Sequence, residues 1–362
     1  MPKTRIVMIG GFLGAGKTTA IARLARHYTD TGLSVAVVTN DQAFGLVDTG
    51  SLQSQGFEVG EVPGACFCCK FDDLVDTLAA LGAERQPDII LTEPVGSCTD
   101  LVATVIEPLR SLHGDRYEVG RLAVLCKPEH GEKILSDRSA GFSPKAAYIF
   151  LKQLEEADAV VINKVDTLDA DQAQRLAERV RSRFPGKPVL LGSGKRGDGF
   201  DELVEQLASP RSSRPAMDID YDVYAEGEAE LAWLNATAEA TAPAPMDVDR
   251  LALAVVSALA EAAEADGFEP AHIKVLGFAG GQTCVANLVS SDTAAVLSLP
   301  SGESATTARL VINARVAGDP DRLAYVLATV LSRLADELQI HLDLASSQHF
   351  RPGRPVPTHR YA

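Results

Sequence analysis

The chain has 362 residues, 46% hydrophobic and 23% charged, an ordinary globular mix with room for two or three domains. Its formal net charge of −15 argues against nucleic acid or an anionic membrane as the general partner, since neither is attracted by such a field. No apolar run approaches the ~20 residues needed to cross a bilayer.

The first apolar, β-rich run covers residues 5–9, so that no separate leader segment is expected ahead of it, and it opens into Gly11-Phe12-Leu13-Gly14-Ala15-Gly16-Lys17-Thr18. This fits G-x-x-x-x-G-K-[ST] between a strand and a helix, the context that marks a phosphate-cradling loop. Glycines let consecutive N–H groups turn toward phosphate oxygens, and the start of the helix adds partial positive charge. Gly11, Gly14, Ala15, Gly16 and Thr19 are therefore expected to line the nucleotide, with Lys17 on the β- and γ-phosphates and the Thr18 hydroxyl on Mg²⁺.

Short apolar runs alternate with helical stretches through the first half, with strands expected at 5–9, 35–39, 89–92, 122–126, 159–163 and 189–191. That alternation predicts an α/β fold, a mostly parallel sheet with helices on both faces, whose ligands bind at the C-terminal ends of the strands. After the second strand, Asp41 and Asp48 are candidates to support Mg²⁺ or its water shell. Next comes Cys66-Phe67-Cys68-Cys69, half of the chain's six cysteines within four residues. Thiolates suit Zn²⁺, Co²⁺ and similar ions, and three nearly complete a tetrahedral shell. A redox switch and the packing of small apolar side chains remain open beside the metal reading. Such thiol or metal chemistry fits a reducing compartment, so a cytoplasmic location is expected.

Strand 89–92 runs into Glu93-Pro94-Val95-Gly96-Ser97-Cys98. A carboxylate here can hold Mg²⁺ or position an attacking water, Gly96 can offer an N–H to the γ-phosphate, and Cys98 is either a fourth thiolate or a packed side chain. Strand 159–163 ends in Asn163-Lys164-Val165-Asp166. An aspartate carboxylate accepts from N1–H and the exocyclic amine of guanine, a donor pair that adenine lacks, and the Lys164 stem can lie over the base. Within Ser193-Gly194-Lys195 a backbone N–H can meet the guanine O6, so GTP is expected over ATP. No arginine finger is identifiable, which predicts slow turnover.

Residues 209–217 read as a linker between a domain at 1–208 and a smaller α+β domain at 218–362. In the latter, 218–241 reads as mostly extended, 246–266 as an amphipathic helix, and 273–278, 284–289 and 309–316 as strands. Asp319-Pro320 starts a helix running to about 338. Three to five strands and two helices are expected. The stretch 350–360 reads as extended and basic, and His341, His349 and His359 are candidate ligands only in isolation.

With these residues assembled, the chain resembles the CobW-like family of P-loop GTPases, relatives of the HypB and UreG metallochaperones. The glycine-rich loop, Cys66-Phe-Cys-Cys69, Glu93-Pro-Val-Gly96 and Asn163-Lys-Val-Asp166 agree in order and spacing across roughly residues 3–210. The resemblance implies GTP hydrolysis coupled to delivery of Zn²⁺ or Co²⁺ to a client metalloprotein or cofactor-assembly protein; a homodimer is a further expectation about partners, with the oligomeric state left open by the sequence. Lys17, Glu93 and Gly96 would then serve catalysis, and Cys66, Cys68 and Cys69 would hold the cargo. The alternatives are a GTPase gating assembly of a corrinoid- or metal-dependent enzyme without metal transfer, and a nucleotide-binding thiol redox sensor. Two departures stand out. The His-rich stretch of many members is absent, and Asn40-Asp-Gln-Ala-Phe44 replaces the common Asn-Glu-Phe-Gly form.

Overall fold

Residues 4–11 are apolar at almost every position, which suits a strand covered on both faces. In the computed structural model they form β1 (Thr4–Gly11), buried along nearly its whole length. The structure describes residues 3–42, 47–83, 85–136, 143–211, 215–290 and 293–361. The chain continues through α1 (Lys17–Asp30), β2 (Val35–Asp41), α2 (Val47–Ser54), β3 (Glu58–Pro63), α3 (Phe71–Leu81) and β4 (Ile89–Glu93). After a π turn at Val102–Ile106 come α4 (Glu107–His113), β5 (Tyr117–Cys126), α5 (Pro128–Leu135), α6 (Pro144–Glu156) and β6 (Ala159–Ile162). The series closes with α7 (Ala170–Arg183), β7 (Val189–Leu191), α8 (Phe200–Ala208) and α9 (Tyr221–Glu228).

The strands pair in the order β3-β2-β4-β1-β5-β6-β7, every pairing parallel. Parallel pairing puts the loops that leave β1, β2, β3, β4, β6 and β7 along one edge of the sheet. All of these strands except β3 are legible as apolar runs. β3 is an edge strand with only Val62 fully buried, so it carries no apolar run to read.

The remaining strands are β8 (Leu231–Asp247), β9 (Glu269–Ala279), β10 (Gln282–Leu288), β11 (Val296–Leu299), β12 (Ser304–Ala317) and β13 (His341–Phe350). They form an antiparallel sheet ordered β11-β10-β9-β12-β8-β13. One face, including Ala236, Val275, Ala286 and Ile312, packs on α10 (Val248–Ala265) and α11 (Pro320–Leu338). The period of two sends the intervening Leu276, Val285 and Val311 to the opposite face, where Val47 of α2 covers them. Asp247 and Asp319 cap the two long helices, each side chain accepting an N–H from three residues on.

Six strands exceed the three to five expected. β11 and β13 were missed because they expose most of their side chains; in β13 only Leu342 is buried. The stretch 218–241 is extended only from Leu231; before it lies α9, whose start is set by the Asp220 carboxylate accepting from Asp222 N at 2.9 Å and Val223 N at 3.1 Å. That cap was present in the sequence, but alternating aspartates and aromatics obscured it.

The chain falls into two compact units, the first comprising residues up to Gln42, Phe57–Gly227 and the stretch from Arg354 on. The second comprises Glu228–Gly353 together with α2. Along the chain the first unit thus runs through the 209–217 stretch to Gly227. Residues 217–227 stay with the first unit because Lys152 donates to Asp218 O at 2.6 Å and Asp220 N to the Tyr148 hydroxyl at 2.7 Å. Among the described residues, no helix is long and apolar enough to cross a membrane.

Candidate functional site

The loop between β1 and α1 takes the curled form its glycines permit. Gly16 sits at φ +88°, and a Cβ there would lie 2.6 Å from Asn163 Nδ2, so both its backbone and its surroundings exclude a side chain. Gly14 is also left-handed, at φ +72°. Ala15 N donates back to Phe12 O at 3.1 Å, and the buried Lys17 ammonium spans the loop to Gly11 O at 3.1 Å. Thr19 is exposed on the first turn of α1, and Thr18 is half-buried beside it.

β4 delivers Glu93 to this loop. The Thr18 hydroxyl donates to Glu93 Oε1 at 3.0 Å, joining two expected Mg²⁺ ligands that are far apart in sequence. Gly96 follows so closely that an added Cβ would sit 2.7 Å from Leu13 and 3.2 Å from Lys17 Nζ. A backbone without a side chain beside a buried ammonium is the cradle a γ-phosphate requires, and Thr18 with Glu93 offers the hard oxygen donors that suit Mg²⁺. Asp41 closes β2, where Thr39 is in register with Glu93, so Asp41 lies beyond Glu93 on the neighbouring strand. Asp48 is not at this edge: it belongs to α2 in the second unit and pairs with Lys274. Residues 43–46 of the intervening loop lie outside the described residues.

Two side chains of α6 hold the Glu93 loop from beneath, and sequence reading missed both. The buried Gln153 amide donates to Gly96 O at 3.0 Å and Cys98 O at 2.9 Å. Glu156 accepts from Thr99 Oγ1 at 3.2 Å and Val102 N at 3.1 Å, and burial pushes its carboxyl up to about 8. An unfolded glutamate titrates near ~4.3. Between those values the native state keeps a proton that the unfolded state has released. This group's contribution to stability therefore falls as pH rises from about 4.3 to 8, by up to about 1.4 kcal/mol per unit, and levels off above. Glu156→Gln is expected to flatten that slope in a pH series of denaturant midpoints; an unchanged slope would take the titration away from Glu156.

At the other side of the loop, Asn163 leaves β6 buried and ties two loops together. Its Nδ2 donates to Ala15 O at 2.7 Å, and its Oδ1 accepts from Gly194 N at 2.9 Å. Lys164 turns through φ +63°. Asp166 is half-buried and accepts from the Ser193 hydroxyl at 2.6 Å, and that hydroxyl accepts from Arg196 N at 3.0 Å. Ser193 N donates to Asp198 O at 2.9 Å, so the N–H groups of Ser193 and Gly194 are both engaged, leaving Lys195 as the donor of that run. Arg23 of α1 fixes the run through the carbonyls of Gly194 at 2.7 Å and Lys195 at 2.8 Å.

The thiol loop follows β3. Asn40, at the end of β2, organises it: its amide donates to Val62 O and Ala65 O, each at 2.7 Å, and accepts from Phe67 N at 2.8 Å. This residue was missed, although a polar side chain ending a buried strand was the available signal. Cys66 Sγ lies 2.8 Å from Cys68 Sγ and 3.3 Å from Cys69 Sγ, with 3.7 Å between the last two. Cys66 and Cys68 are buried and Cys69 half-buried. Hydrogen bonds from Cys68, Cys69 and Cys98 hold the Cys66 thiol well below the ordinary thiol range. The bond to Cys66 in turn pushes Cys68 well up and Cys69 up to about 11. A soft cation bound there would displace the thiol protons. A tetrahedral Zn²⁺ with ~2.3 Å bonds needs sulfurs about 3.8 Å apart. The Cys68–Cys69 edge already has that length, and the other two must open by about 0.5–1 Å.

Among the described residues, these three cysteines are the one group of three or more His, Cys, Asp or Glu residues whose ligand atoms gather within 4.8 Å. None of the three candidate histidines joins that group: His349 pairs with Asp321 at 3.2 Å, His341 begins β13, and His359 stands edge-on to Phe71, two residues after Cys69, at 4.9 Å.

The sequence model of the CobW/HypB/UreG nucleotide-binding domain matches residues 5–191. The zinc chaperone YeiR of Escherichia coli (strain K12) is 32% identical over 180 residues, covering 48% of this chain and 50% of YeiR. The zinc chaperone CobW of a Sinorhizobium species is 29% identical over 217 residues, covering 54% of this chain and 60% of CobW. The matches thus span between half and three-fifths of those two relatives. Among solved structures, the Zn(II)-bound YjiA GTPase of E. coli aligns with 91% of this chain and 99% of its own, at 17% identity and a TM-score of 0.41.

Proposed function

This chain belongs to the CobW/HypB/UreG family, and from that premise we propose that it is a GTP-hydrolysing metallochaperone. It binds a transition metal at Cys66, Cys68 and Cys69 and hands it to a client metalloprotein or cofactor-assembly protein according to nucleotide state. The observation that carries this reading is the gathering of three sulfurs within 3.7 Å on the same sheet edge as the phosphate loop. Zn²⁺ is the favoured cargo, since YeiR and CobW are zinc chaperones, with Co²⁺ next by ligand chemistry. Lys17 and Gly96 face the γ-phosphate, Asp166 and the Lys195 N–H read guanine, and Thr18 with Glu93 holds Mg²⁺, Asp41 standing further out. When bound, Mg²⁺ supplies neutralisation of the phosphate charge.

Coupling follows from the chain path, because the thiol loop lies between β2 and β4 in sequence and hydrogen-bonds to Asn40 on one and, through Cys98, to the loop leaving the other. Loops that order around GTP and relax after hydrolysis would gather or splay the ligands. Linkage then requires that GTP and metal tighten each other by the same factor, typically 5–150-fold. The test is a chelator competition with Zn²⁺ or Co²⁺ in the presence of Mg²⁺ and either GDP or a non-hydrolysable GTP analogue. Wild type is expected to hold one ion tighter with the analogue, and Cys68→Ala to lose it. Equal affinity in both nucleotide states would rule out gated delivery. The 2.8 Å Cys66–Cys68 separation favours a second reading, a thiol redox sensor. That reading predicts a reversible disulfide and no ion in anaerobically purified protein.

A further inference from the structure

Residues 354–361 return to the first unit and run along the thiol loop. Val356 N donates to Cys69 Sγ at 3.2 Å, Thr358 N to Cys68 O at 2.8 Å, and Thr358 Oγ1 to Cys69 O at 3.4 Å. Beyond the thiols, the stretch is pinned at each end. Arg354 pairs with Asp222 at 2.9 Å, Arg360 with Asp100 at 2.7 Å, and Tyr361 N donates to Ala103 O at 2.8 Å. The Asp100 anchor is itself unusual. It is buried at φ +64°, and its carboxylate also takes the Tyr221 hydroxyl at 2.8 Å. A buried carboxylate in a left-handed conformation persists only where its surroundings over-determine it, and Arg360 supplies its counter-charge.

In Pro355-Val356-Pro357 only the central residue owns a backbone N–H, and that N–H is the one on the Cys69 sulfur. The Val356 side chain is 71% exposed, so what this residue gives the fold is its donor. The flanking prolines pre-set the backbone and lower the entropy lost in holding it there. Cys69 is the most exposed of the three sulfurs, the one with least packing to fix its rotamer.

We propose that residues 354–361 form an integral wall of the metal site, in which the Val356 N–H positions the Cys69 sulfur for metal and the Arg360–Asp100 pair holds that wall in place. The proposal rests on the assignment of the three cysteines as the cargo site. Val356 acts through Cys69, as hydrogen bonds to ligating groups elsewhere orient them and tune their donor strength; losing such a partner typically costs 10–100-fold in metal affinity.

The test is anaerobic titration of the full chain with Co²⁺, reading both affinity by chelator competition and the sulfur-to-cobalt charge-transfer absorption. Val356→Pro, which deletes the donor at an exposed position already flanked by prolines, is expected to bind Co²⁺ about tenfold more weakly with a shifted absorption. Val356→Ala, which keeps the N–H, is expected to rescue both, and Arg360→Gln to reproduce the Val356→Pro weakening through the anchor. A Val356→Pro protein with wild-type affinity and spectrum would overturn the proposal while leaving the cysteine site standing. Equal weakening by Val356→Ala would overturn it too, by moving the effect to the side chain. Absence of any charge-transfer absorption in wild type would instead remove the cysteine assignment on which the proposal rests.

Discussion

Replacing Glu93 by alanine is expected to lower GTP turnover by about 10²–10³-fold while leaving GDP affinity within about twofold. The asymmetry follows from where the carboxylate stands. In the proposed reading GDP would be held by β-phosphate contacts of the glycine-rich loop and by base contacts at Asn163 to Lys195, none of which includes Glu93. What Glu93 does touch is the Thr18 hydroxyl, whose proton it accepts at 3.0 Å. With that proton directed to Glu93, the hydroxyl lone pairs are left for Mg²⁺, so the carboxylate orients the other proposed Mg²⁺ ligand as well as serving as one. It is also buried, where an oriented charge is screened little by water. Steady-state GTP hydrolysis and GDP binding by calorimetry, measured on the same preparation, provide the check. Near-normal turnover in the variant would remove Glu93 from the mechanism.

The parts of this site that could be read from sequence are those where local chemistry and local structure coincide. Gly11 to Thr18 announces itself because the glycines, the lysine and the flanking strand and helix are contiguous, and Asn163 to Asp166 does so because it ends an apolar strand. The thiol triplet is legible as composition alone, but what shapes it is not. Asn40 holds that loop from the preceding strand, Gln153 and Glu156 hold the Glu93 loop from a later helix, and Val356 reaches Cys69 across 287 positions of sequence. None of these contacts leaves a periodicity or a motif, since each depends on a tertiary approach of two segments unremarkable in isolation. The same limit explains β3 and β13, edge strands whose exposed side chains carry no hydrophobic alternation, and Asp48, whose neighbours in sequence suggest the nucleotide while its ion pair lies with Lys274.

Asp166→Asn is expected to weaken GTP binding by about 10²–10³-fold and to shift preference toward xanthine nucleotides. The size follows from two charge-assisted hydrogen bonds, each worth ~1.5–3 kcal/mol, of which one is lost and its partner left facing a donor. Which half of the new amide faces which way is set by the loop. Ser193 Oγ already accepts from Arg196 N at 3.0 Å, so its proton is directed at residue 166, where it meets Oδ1 at 2.6 Å. An asparagine keeps that bond only with its oxygen toward Ser193, which turns its NH₂ toward the position where aspartate accepts from guanine. Guanine presents donors there, N1–H and the exocyclic amine, and an amide donor opposite them is repelled. Xanthine replaces the amine with a carbonyl, which the amide donor can meet. Loss of a built-in hydrogen-bond match discriminates far more strongly than loss of a methylene, so the swap should be visible as a change of preferred base rather than a general weakening. Competition of GTP and xanthosine triphosphate against a fluorescent GDP analogue measures it directly. Retention of full GTP affinity by the variant would show that Asp166 does not read the base.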